Sequence, residues 1–297
     1  MAQQEIRLGI VPYLNVLPLL EGLDLSIPRE NWHYGVPREL AALLGERRVD
    51  FATMPIFEVL RAGGNYKLLG KCSISCDGPV RSVRLFSHKP LKEARHVLLD
   101  RSSLTSAHLA MILCREYLQI SPRFTTSELP IGFDFDLAST NYDAVLVIGD
   151  VALGWMDSFP HELDLGAAWK ELTGLPFVFA GWACWKDQPI PRGLQELFVG
   201  ARKLGERQVY EIAKRHAHQP HQTPPPHIQT SGNLKTAQRE LRDLVEYLSL
   251  ALRYNLRDTQ RQGIELYRRK LIEHKLLPEN TPPIQIESPI EDERKLH

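Results

Sequence analysis

Cysteine is scarce in this chain, and neither sign of charge is in excess. The 297 residues include 4 cysteines, and no second pair joins Cys72 and Cys76 at the spacing of a zinc site. That number is too small for a disulfide scaffold, so we expect reduced thiols. Lysine and arginine total 36, as do aspartate and glutamate. This balance argues against a nucleic-acid binder that works through bulk positive charge.

Long apolar runs and common catalytic motifs are also missing. The longest apolar run, residues 176–185, is about half of a membrane span. No apolar stretch of signal-peptide type precedes the first predicted strand, so we expect a cytoplasmic protein that does not insert into a membrane. The chain has no P-loop and no G-x-G-x-x-G, H-E-x-x-H or G-x-S-x-G pattern. Nucleotide binding, zinc proteolysis and serine hydrolysis therefore lack their motifs.

What the sequence contains is an alternation of strand and helix patterns. Buried-strand patterns at 6–12 and 49–54 flank a helix that is predicted to begin at Pro37. A second unit of the same kind begins at 96–100 and ends at 143–149. This alternation is typical of a parallel sheet in an α/β fold, and the length suggests two domains or two lobes.

The last third of the chain is predicted to be helical. Leucines spaced along one face from Leu241 to Leu252 predict a helix over 235–256, and another is predicted over 259–276. The proline-rich tail, 278–297, is expected to be extended and poorly packed.

Asn15 is the first candidate for a binding residue. It follows the first predicted strand directly, and loops at the carboxyl ends of parallel strands line the ligand crevice of open α/β folds. Its amide offers both a donor and an acceptor. The alternative on local sequence is an ordinary turn asparagine.

Two further segments are rich in hydroxyl groups. Residues 100–106 follow a strand and open a helix, where hydroxyls and free backbone N–H groups make an anion site. The alternative is a plain helix cap. Ser82 follows an Asp-Gly-Pro turn and is expected to face the crevice.

The histidine-rich loop is a weak candidate for a metal site. His216, His218, His221 and His227 have no carboxylate or cysteine at ligand spacing, and three consecutive prolines lie before His227. We therefore expect no metal. The residues alone support a two-lobed α/β protein with a hydroxyl-rich crevice for a small anion, and leave a binding protein and an enzyme equally open.

Several unrelated blocks, in order over about residues 6–276, resemble one family. That family is the chorismate dehydratases of the futalosine route to menaquinone. The blocks are VPYLNVLPLL, ISCDGPVRSV, LDRSSLTSAHL, DAVLVIGDVAL, DLGAAWKELTGLPFVFAGWACW and YLSLALRYNLRDTQRQGIELYRRKL.

The resemblance implies a two-lobed α/β fold like that of type II periplasmic binding proteins, with a helical C-terminal region. Residues 1–87 and 186–297 would form the first lobe and 88–185 the second, with the ligand cleft between them. The chain would cross between lobes near 87–90 and 180–185. The implied activity is a hydro-lyase that eliminates water from chorismate to give 3-[(1-carboxyvinyl)oxy]benzoate, with no cofactor because aromatisation of the ring supplies the driving force.

The resemblance also implies roles for particular residues. Asn15 and Ser82 would be catalytic, and because serine is a weak base, Ser82 would hydrogen-bond or relay a proton. The remaining residues would contact substrate: Tyr13, Ser103, Thr105, Ser106, Ile148, Gly149, Leu175 and Pro176. Two positions depart from the family pattern, since Pro12 replaces a serine and Ile56 replaces a hydroxyl-bearing residue.

Two alternatives and one open question accompany this interpretation. A non-catalytic binding protein for a small carboxylate is one alternative. The other is the sister enzyme of the same pathway, which acts on dehypoxanthine futalosine and usually carries a histidine where this chain has Gly149. The expected partner is the small-molecule substrate, without nucleic acid, and a homodimer is left open.

Overall fold

Two mixed β-sheets with helices packed against them form the framework of the protein. The computed structural model describes residues 5–102, 104–127, 131–132, 134–218 and 241–287. The strands are β1 Leu8–Ile10, β2 Trp32–Tyr34, β3 Phe51–Pro55, β4 Tyr66–Cys76, β5 Val83–Ser87, β6 His96–Leu99, β7 Arg123–Thr126, β8 Ala144–Ile148, β9 His161–Asp164, β10 Phe177–Trp185 and β11 Gln285–Glu287. The α-helices are α1 Pro37–Gly45, α2 Ile56–Arg61, α3 Leu104–Glu116, α4 Gly149–Gly154, α5 Leu165–Thr173, α6 Leu194–Arg207, α7 Val209–His218 and α8 Asp258–Glu273.

The first sheet has the strand order β11-β4-β10-β3-β1-β2 within the described residues. β1 pairs in parallel with β2 and β3, as the strand and helix alternation predicts, whereas β10 runs antiparallel between β3 and β4. Its strands β1 and β3 are buried along their whole length. This burial explains their nearly continuous apolar sequences.

The second sheet has the order β7-β6-β8-β5-β9 in the part of the chain that the structure describes. β6 pairs in parallel with β7 and β8, while β5 runs antiparallel to β8 and β9. Helix α3 follows β6 and buries Leu109, Ile112 and Leu113 on its apolar face.

The chain crosses between the sheets at points that differ from the expected ones. Val83–Ser87 pairs within the second sheet, and Phe177–Trp185 pairs within the first. The crossings therefore lie between Cys76 and Val83 and between Asp164 and Phe177, before the expected positions near 87–90 and 180–185. Apolar strand patterns look alike in either sheet, so only the pairing partners decide where a strand belongs.

The C-terminal helix pattern is interrupted earlier than predicted. Residues 241–246 are helical, but Tyr247–Ala251 forms a wider π-helical turn and Leu252 is already extended. Arg253 then pairs with Ser75 of β4 in an isolated bridge. The prediction of a helix to residue 256 is therefore wrong, because backbone pairing with β4 replaces the last turn.

The tail also departs from its prediction. Gln285–Glu287 forms β11 and pairs in parallel with β4. The close approach requires Gly70, where a Cβ would lie 2.6 Å from the carbonyl oxygen of Glu287. The tail is thus ordered up to residue 287, and residues 288–297 lie outside the described ones.

Two expectations from composition can be compared with the structure. All four cysteines are buried and none forms a disulfide, which confirms the expectation of reduced thiols. Among the helices of the described residues, none is both long and apolar enough to cross a bilayer.

We expect Gly205→Ala in helix α6 to destabilise the protein. A Cβ at this position would lie 2.1 Å from the carbonyl oxygen of Pro18, so the helix or the backbone at Pro18 has to move. Overpacking of this kind costs about 1–3 kcal/mol. Urea denaturation measures the change in the free energy of unfolding.

Gly200→Ala is the matched control for this substitution. Gly200 lies on the same helix, and a Cβ there meets no atom within 4 Å. Alanine is favoured over glycine in a helix by about 1 kcal/mol, so this variant should be neutral or slightly more stable. Equal effects of the two substitutions would contradict the packing argument.

Candidate active site

A cavity lies where the two sheets face each other. The space inside it that is open to a water-sized molecule is about 70 Å³, and the whole opening, with the solvent at its mouth, is about 630 Å³. Asn15, Thr53 and Ala180 line it from the side of the first sheet, and Ser82 and Gly149 from the side of the second.

Asn15 reaches this cavity on a short 3₁₀ helix. Tyr13 is extended, and the helix Leu14–Leu19 follows with Leu14 and Val16 buried beneath it. The side-chain oxygen Oδ1 of Asn15 is buried and has no hydrogen-bond partner. Buried polar atoms in folded proteins are normally paired. The Asn15 oxygen is therefore available to accept a hydrogen bond from a ligand in the cavity.

Ser82 is held at the crossing between β4 and β5. The carboxylate of Asp164 accepts hydrogen bonds from the backbone N–H groups of Val80, at 3.0 Å, and Arg81, at 2.7 Å. The carbonyl oxygen of Ser82 accepts from the backbone N–H of Gly149 at 2.8 Å. Ser82 is 2% exposed, and these hydrogen bonds fix its backbone from both sides.

The hydroxyl of Ser82 has a buried partner from the C-terminal region. Tyr247 donates from Oη to the Ser82 Oγ at a distance of 2.8 Å. The side chain of Asn15 also acts on this phenol and lowers its pKa, although burial outweighs that effect. Burial raises the pKa of Tyr247 well above its usual value, so the phenol stays protonated and remains a donor.

The hydroxyl-rich segment before α3 forms another part of the cavity wall. Ser102 and Ser106 both line the cavity. Asp100 accepts from the backbone N–H of Ser102 at 2.8 Å and also from its hydroxyl. Burial raises the pKa of Tyr13 to about 12, although a hydrogen bond with Ser102 acts in the opposite direction. Tyr13 is therefore a neutral phenol at ordinary pH.

The structure brings together most of the residues named from the sequence. Those that line the cavity are Tyr13, Asn15, Ser82, Ser106, Ile148 and Gly149. Among the other four, Ser103 lies outside the described residues, and Thr105, Leu175 and Pro176 are not among the residues that line the cavity.

Local contacts explain why Thr105, Leu175 and Pro176 lie away from the cavity wall. The Thr105 hydroxyl accepts a hydrogen bond from the backbone N–H of Phe57 at 3.1 Å, so it joins α3 to α2. The backbone N–H of Leu175 donates to the hydroxyl of Thr173 at 3.2 Å. The carbonyl oxygen of Pro176 packs so closely on α8 that a Cβ at Gly263 would lie 2.2 Å from it.

Sequence reasoning missed several residues of the site. Ser102 stood in the hydroxyl-rich segment but was not singled out, although a count of hydroxyls could have included it. Thr53 and Phe179 lie on strands β3 and β10 and carry no local signal. Tyr247 stood within a predicted helix, and its partner Ser82 is 165 positions away in sequence.

The cavity wall carries no basic side chain among the described residues that line it. Arg84, near the crossing, pairs with Glu162 at 2.9 Å and with Asp164 at 3.3 Å. Arg81 pairs with Glu246 at 3.2 Å. An anion in this cavity would therefore be held by hydroxyls and backbone N–H groups rather than by direct ion pairs.

The described residues contain no group of three side chains that could hold a metal ion. His216 lies 3.6 Å from the carboxylate of Asp150. The side chain of His218, together with His221 and His227, falls outside the described residues, so the structure does not describe the histidine-rich loop as a whole.

Comparison with known proteins relates the chain to enzymes of one pathway. A family model described as menaquinone biosynthesis matches residues 6–273. Chorismate dehydratase from Thermus thermophilus is 33% identical over 227 residues, which cover 71% of this chain and 81% of that enzyme. Chorismate dehydratase from Campylobacter jejuni is 29% identical over 197 residues, covering 64% of this chain and 72% of that enzyme.

Solved structures agree with the expected architecture. The periplasmic aliphatic sulphonate binding protein SsuA from Escherichia coli superposes with a TM-score of 0.63 at 13% identity, covering 96% of this chain and 94% of that one. At this identity the likeness concerns the fold alone. The periplasmic-binding-protein-like fold expected from the sequence is thereby confirmed.

We expect Asp100→Asn to become less destabilising as the pH rises. Burial raises the pKa of the Asp100 carboxyl, so the folded protein binds this proton more tightly than the unfolded chain does. The free energy of unfolding of the wild type therefore falls as the pH rises from the unfolded-state pKa of Asp100 to its folded-state pKa. That of the Asp100→Asn variant does not change in this way. Urea denaturation at about pH 4.5 and about pH 7.5 measures the difference.

Asp143→Asn is the control with the opposite shift. Burial raises the pKa of Asp143, but hydrogen bonds from Lys89 and from the backbone of Arg95 and His96 outweigh it, so the pKa is lowered. The stabilisation from such a carboxyl is complete above its unfolded-state pKa and is lost only as the pH falls. The free energy of unfolding lost in Asp143→Asn should thus be nearly equal at the two pH values. If both variants responded to pH in the same way, the assigned pKa shifts would be refuted.

Proposed function

This chain belongs to the menaquinone biosynthesis family, and we propose that it is a chorismate dehydratase that converts chorismate to 3-[(1-carboxyvinyl)oxy]benzoate. The protein is then a hydro-lyase whose substrate is a small molecule. The similarity to the Thermus enzyme across most of both chains is the observation that carries the proposal.

The two alternatives are less well supported. Both curated relatives reported above are named as dehydratases, which disfavours a binding protein without activity. The sister enzyme usually has a histidine at the position of Gly149, where this chain has an open, left-handed glycine with φ +66° and no atom within 4 Å of a Cβ.

The reaction makes three demands on the protein. A ring hydrogen and the 4-hydroxyl leave as one water, so a base has to take the hydrogen and a donor has to assist the departing oxygen. Two substrate carboxylates also have to be held in place. Aromatisation of the ring makes the elimination favourable, and we propose no cofactor.

Asn15 and Ser82 are suited to assist the departure of the hydroxyl oxygen. Because the Ser82 Oγ already accepts from Tyr247, its own proton is available to a ligand oxygen in the cavity. The unpartnered Oδ1 of Asn15 is a matching acceptor. We propose that the two groups hold the 4-hydroxyl of chorismate, with Ser82 donating to the oxygen that leaves and Asn15 accepting its hydrogen.

The base is proposed to come from the substrate itself. Serine is a weak base, and the phenols of Tyr13 and Tyr247 are kept protonated by burial. The enolpyruvyl carboxylate of chorismate can take the ring hydrogen instead and pass it on as the hydroxyl leaves, so that water is the only small product.

One substrate carboxylate, on the ring, is proposed to bind at the start of α3. Ser102 and Ser106 line the cavity there, and the first N–H groups of a helix favour an anion. This arrangement requires no basic side chain, in agreement with the composition of the cavity wall.

Other properties stay predictions. We propose that the two sheets belong to two lobes that close on the substrate, as is common for binding folds of this kind. The cytoplasmic location expected from the sequence, and the homodimer that the sequence leaves open, are not needed for the chemistry.

The first test is incubation of the purified protein with chorismate. We expect a product that is lighter than chorismate by one water, as measured by mass spectrometry. Its ultraviolet spectrum should be that of a substituted benzoate. Heat-inactivated protein is the control for spontaneous decay. Unchanged chorismate in the presence of folded protein that chorismate stabilises thermally would favour the binding-protein alternative instead.

We expect Asn15→Ala and Ser82→Ala each to lower kcat by about 100-fold or more, because each removes a group that holds the departing hydroxyl. Steady-state kinetics measure the loss. Ser73→Ala is the control, since Ser73 is equally buried but donates to the carbonyl oxygen of Asn255 at 2.7 Å. Turnover near the wild-type rate in both site variants would contradict the proposed roles.

A further inference from the structure

Tyr247 occupies an unusual place beside the cavity. It is 1% exposed and is not among the residues that line the cavity. Its hydroxyl nevertheless reaches a proposed catalytic group, since it donates to the Ser82 Oγ at 2.8 Å. It is thus one layer behind the cavity wall.

The backbone that carries Tyr247 is specialised. Residues Tyr247–Ala251 form a π-helical turn, a conformation that is rare in proteins and frequent at functional sites. The preceding residue, Glu246, pairs with Arg81 at 3.2 Å, next to Ser82. After the turn, Leu252 lines the cavity and Arg253 pairs with β4. The segment is therefore anchored on both sides of Tyr247.

The number of donors and acceptors on a serine hydroxyl explains how the phenol of Tyr247 affects Ser82. A serine hydroxyl has one hydrogen to donate and two lone pairs that accept. When Tyr247 donates into one lone pair, the Ser82 hydrogen cannot point back toward the phenol. It is directed elsewhere, and the opening available is the cavity.

We propose that Tyr247 is a positioning residue that orients the Ser82 hydroxyl as a donor toward the departing oxygen of the substrate. The inference rests on the proposed dehydratase function and adds a residue to it. Hydrogen bonds in a chain polarise one another, so donation by Tyr247 also makes the Ser82 O–H a stronger donor. Tyr247 does not contact substrate and acts through Ser82 alone.

Such a role affects kcat rather than KM. The interaction strengthens as the negative charge of the leaving oxygen develops, so it stabilises the transition state more than bound chorismate. Tyr247→Phe removes the hydroxyl and keeps the ring. We expect kcat to fall by about 10- to 100-fold while KM changes by less than about threefold.

Tyr254→Phe is the matched control. Tyr254 is 2% exposed, follows on the same segment, and its hydroxyl has no hydrogen-bond partner. Loss of this hydroxyl should leave kcat at the wild-type value. Both variants are assayed at a temperature at which circular dichroism shows them folded, and equal kcat values in the two would overturn the inference.

A double variant separates positioning from a structural role. If Tyr247 acts through Ser82, then Ser82→Ala with Tyr247→Phe should be no slower than Ser82→Ala alone, since the effects of coupled residues are not additive. Multiplicative losses would overturn the inference by showing an independent effect of Tyr247.

A second replacement preserves the fold if Tyr247→Phe does not. Site-specific 3-fluorotyrosine at position 247 keeps the hydrogen bond to Ser82 and makes the phenol a stronger donor. We expect kcat to rise relative to the same replacement at Tyr254, and an unchanged or lower kcat would contradict the inference. Wild-type turnover of chorismate is measured in parallel. Its absence would refute the dehydratase proposal, whereas normal turnover in both wild type and Tyr247→Phe would refute only the role of Tyr247.

Discussion

The carboxylate of Asp164 holds the point at which the chain passes from one sheet to the other. It accepts backbone N–H groups from Val80 and Arg81 on one side, and from Gly166 and Ala167 at the start of α5 on the other. Arg84 adds an ion pair at 3.3 Å. A buried charge is tolerated only when its hydrogen bonds are satisfied, and here those bonds also fix the turn that presents Ser82. Because Gly166 packs against this turn, with a Cβ there only 2.6 Å from the carbonyl oxygen of Gly78, the turn has little freedom to move.

The C-terminal region completes what this turn begins. It contributes the phenol behind Ser82 and, through α8, contacts with strand β10 of the first sheet and with helix α3. Tyr267 donates to the backbone carbonyl of Thr105 at 3.0 Å, and Lys270 and His274 pair with Glu116 of α3. The region is therefore part of the site and not an appendage, which explains why the resemblance to dehydratases extends through it.

In the proposed function, the cavity holds an anion without a basic side chain from the described residues that line it. A periplasmic-binding-protein-like fold places helix starts and strand ends around one cleft, so hydroxyls and backbone N–H groups converge without basic side chains. The arginines near the site, Arg81 and Arg84, are taken up by carboxylates. In the proposed reaction this leaves the substrate carboxylate free to act as a base, since a direct ion pair would make it a weaker one.

The sequence by itself determined the α/β fold class and the helix that begins at Pro37, because both depend on local periodicity. The small number of cysteines favoured reduced thiols, and residues within short blocks made Asn15 and Ser82 candidates. Only the tertiary structure decided which sheet holds β5 and β10, that Thr105 serves α2 instead of the cavity, that β11 closes the first sheet, and that Tyr247 lies behind Ser82. Each of these depends on a contact between segments far apart in the chain, and hydrophobic patterns do not record the identity of a distant partner. The π turn at Tyr247 illustrates the limit most clearly, since its leucines follow a helical period while pairing of Arg253 with β4 ends the helix.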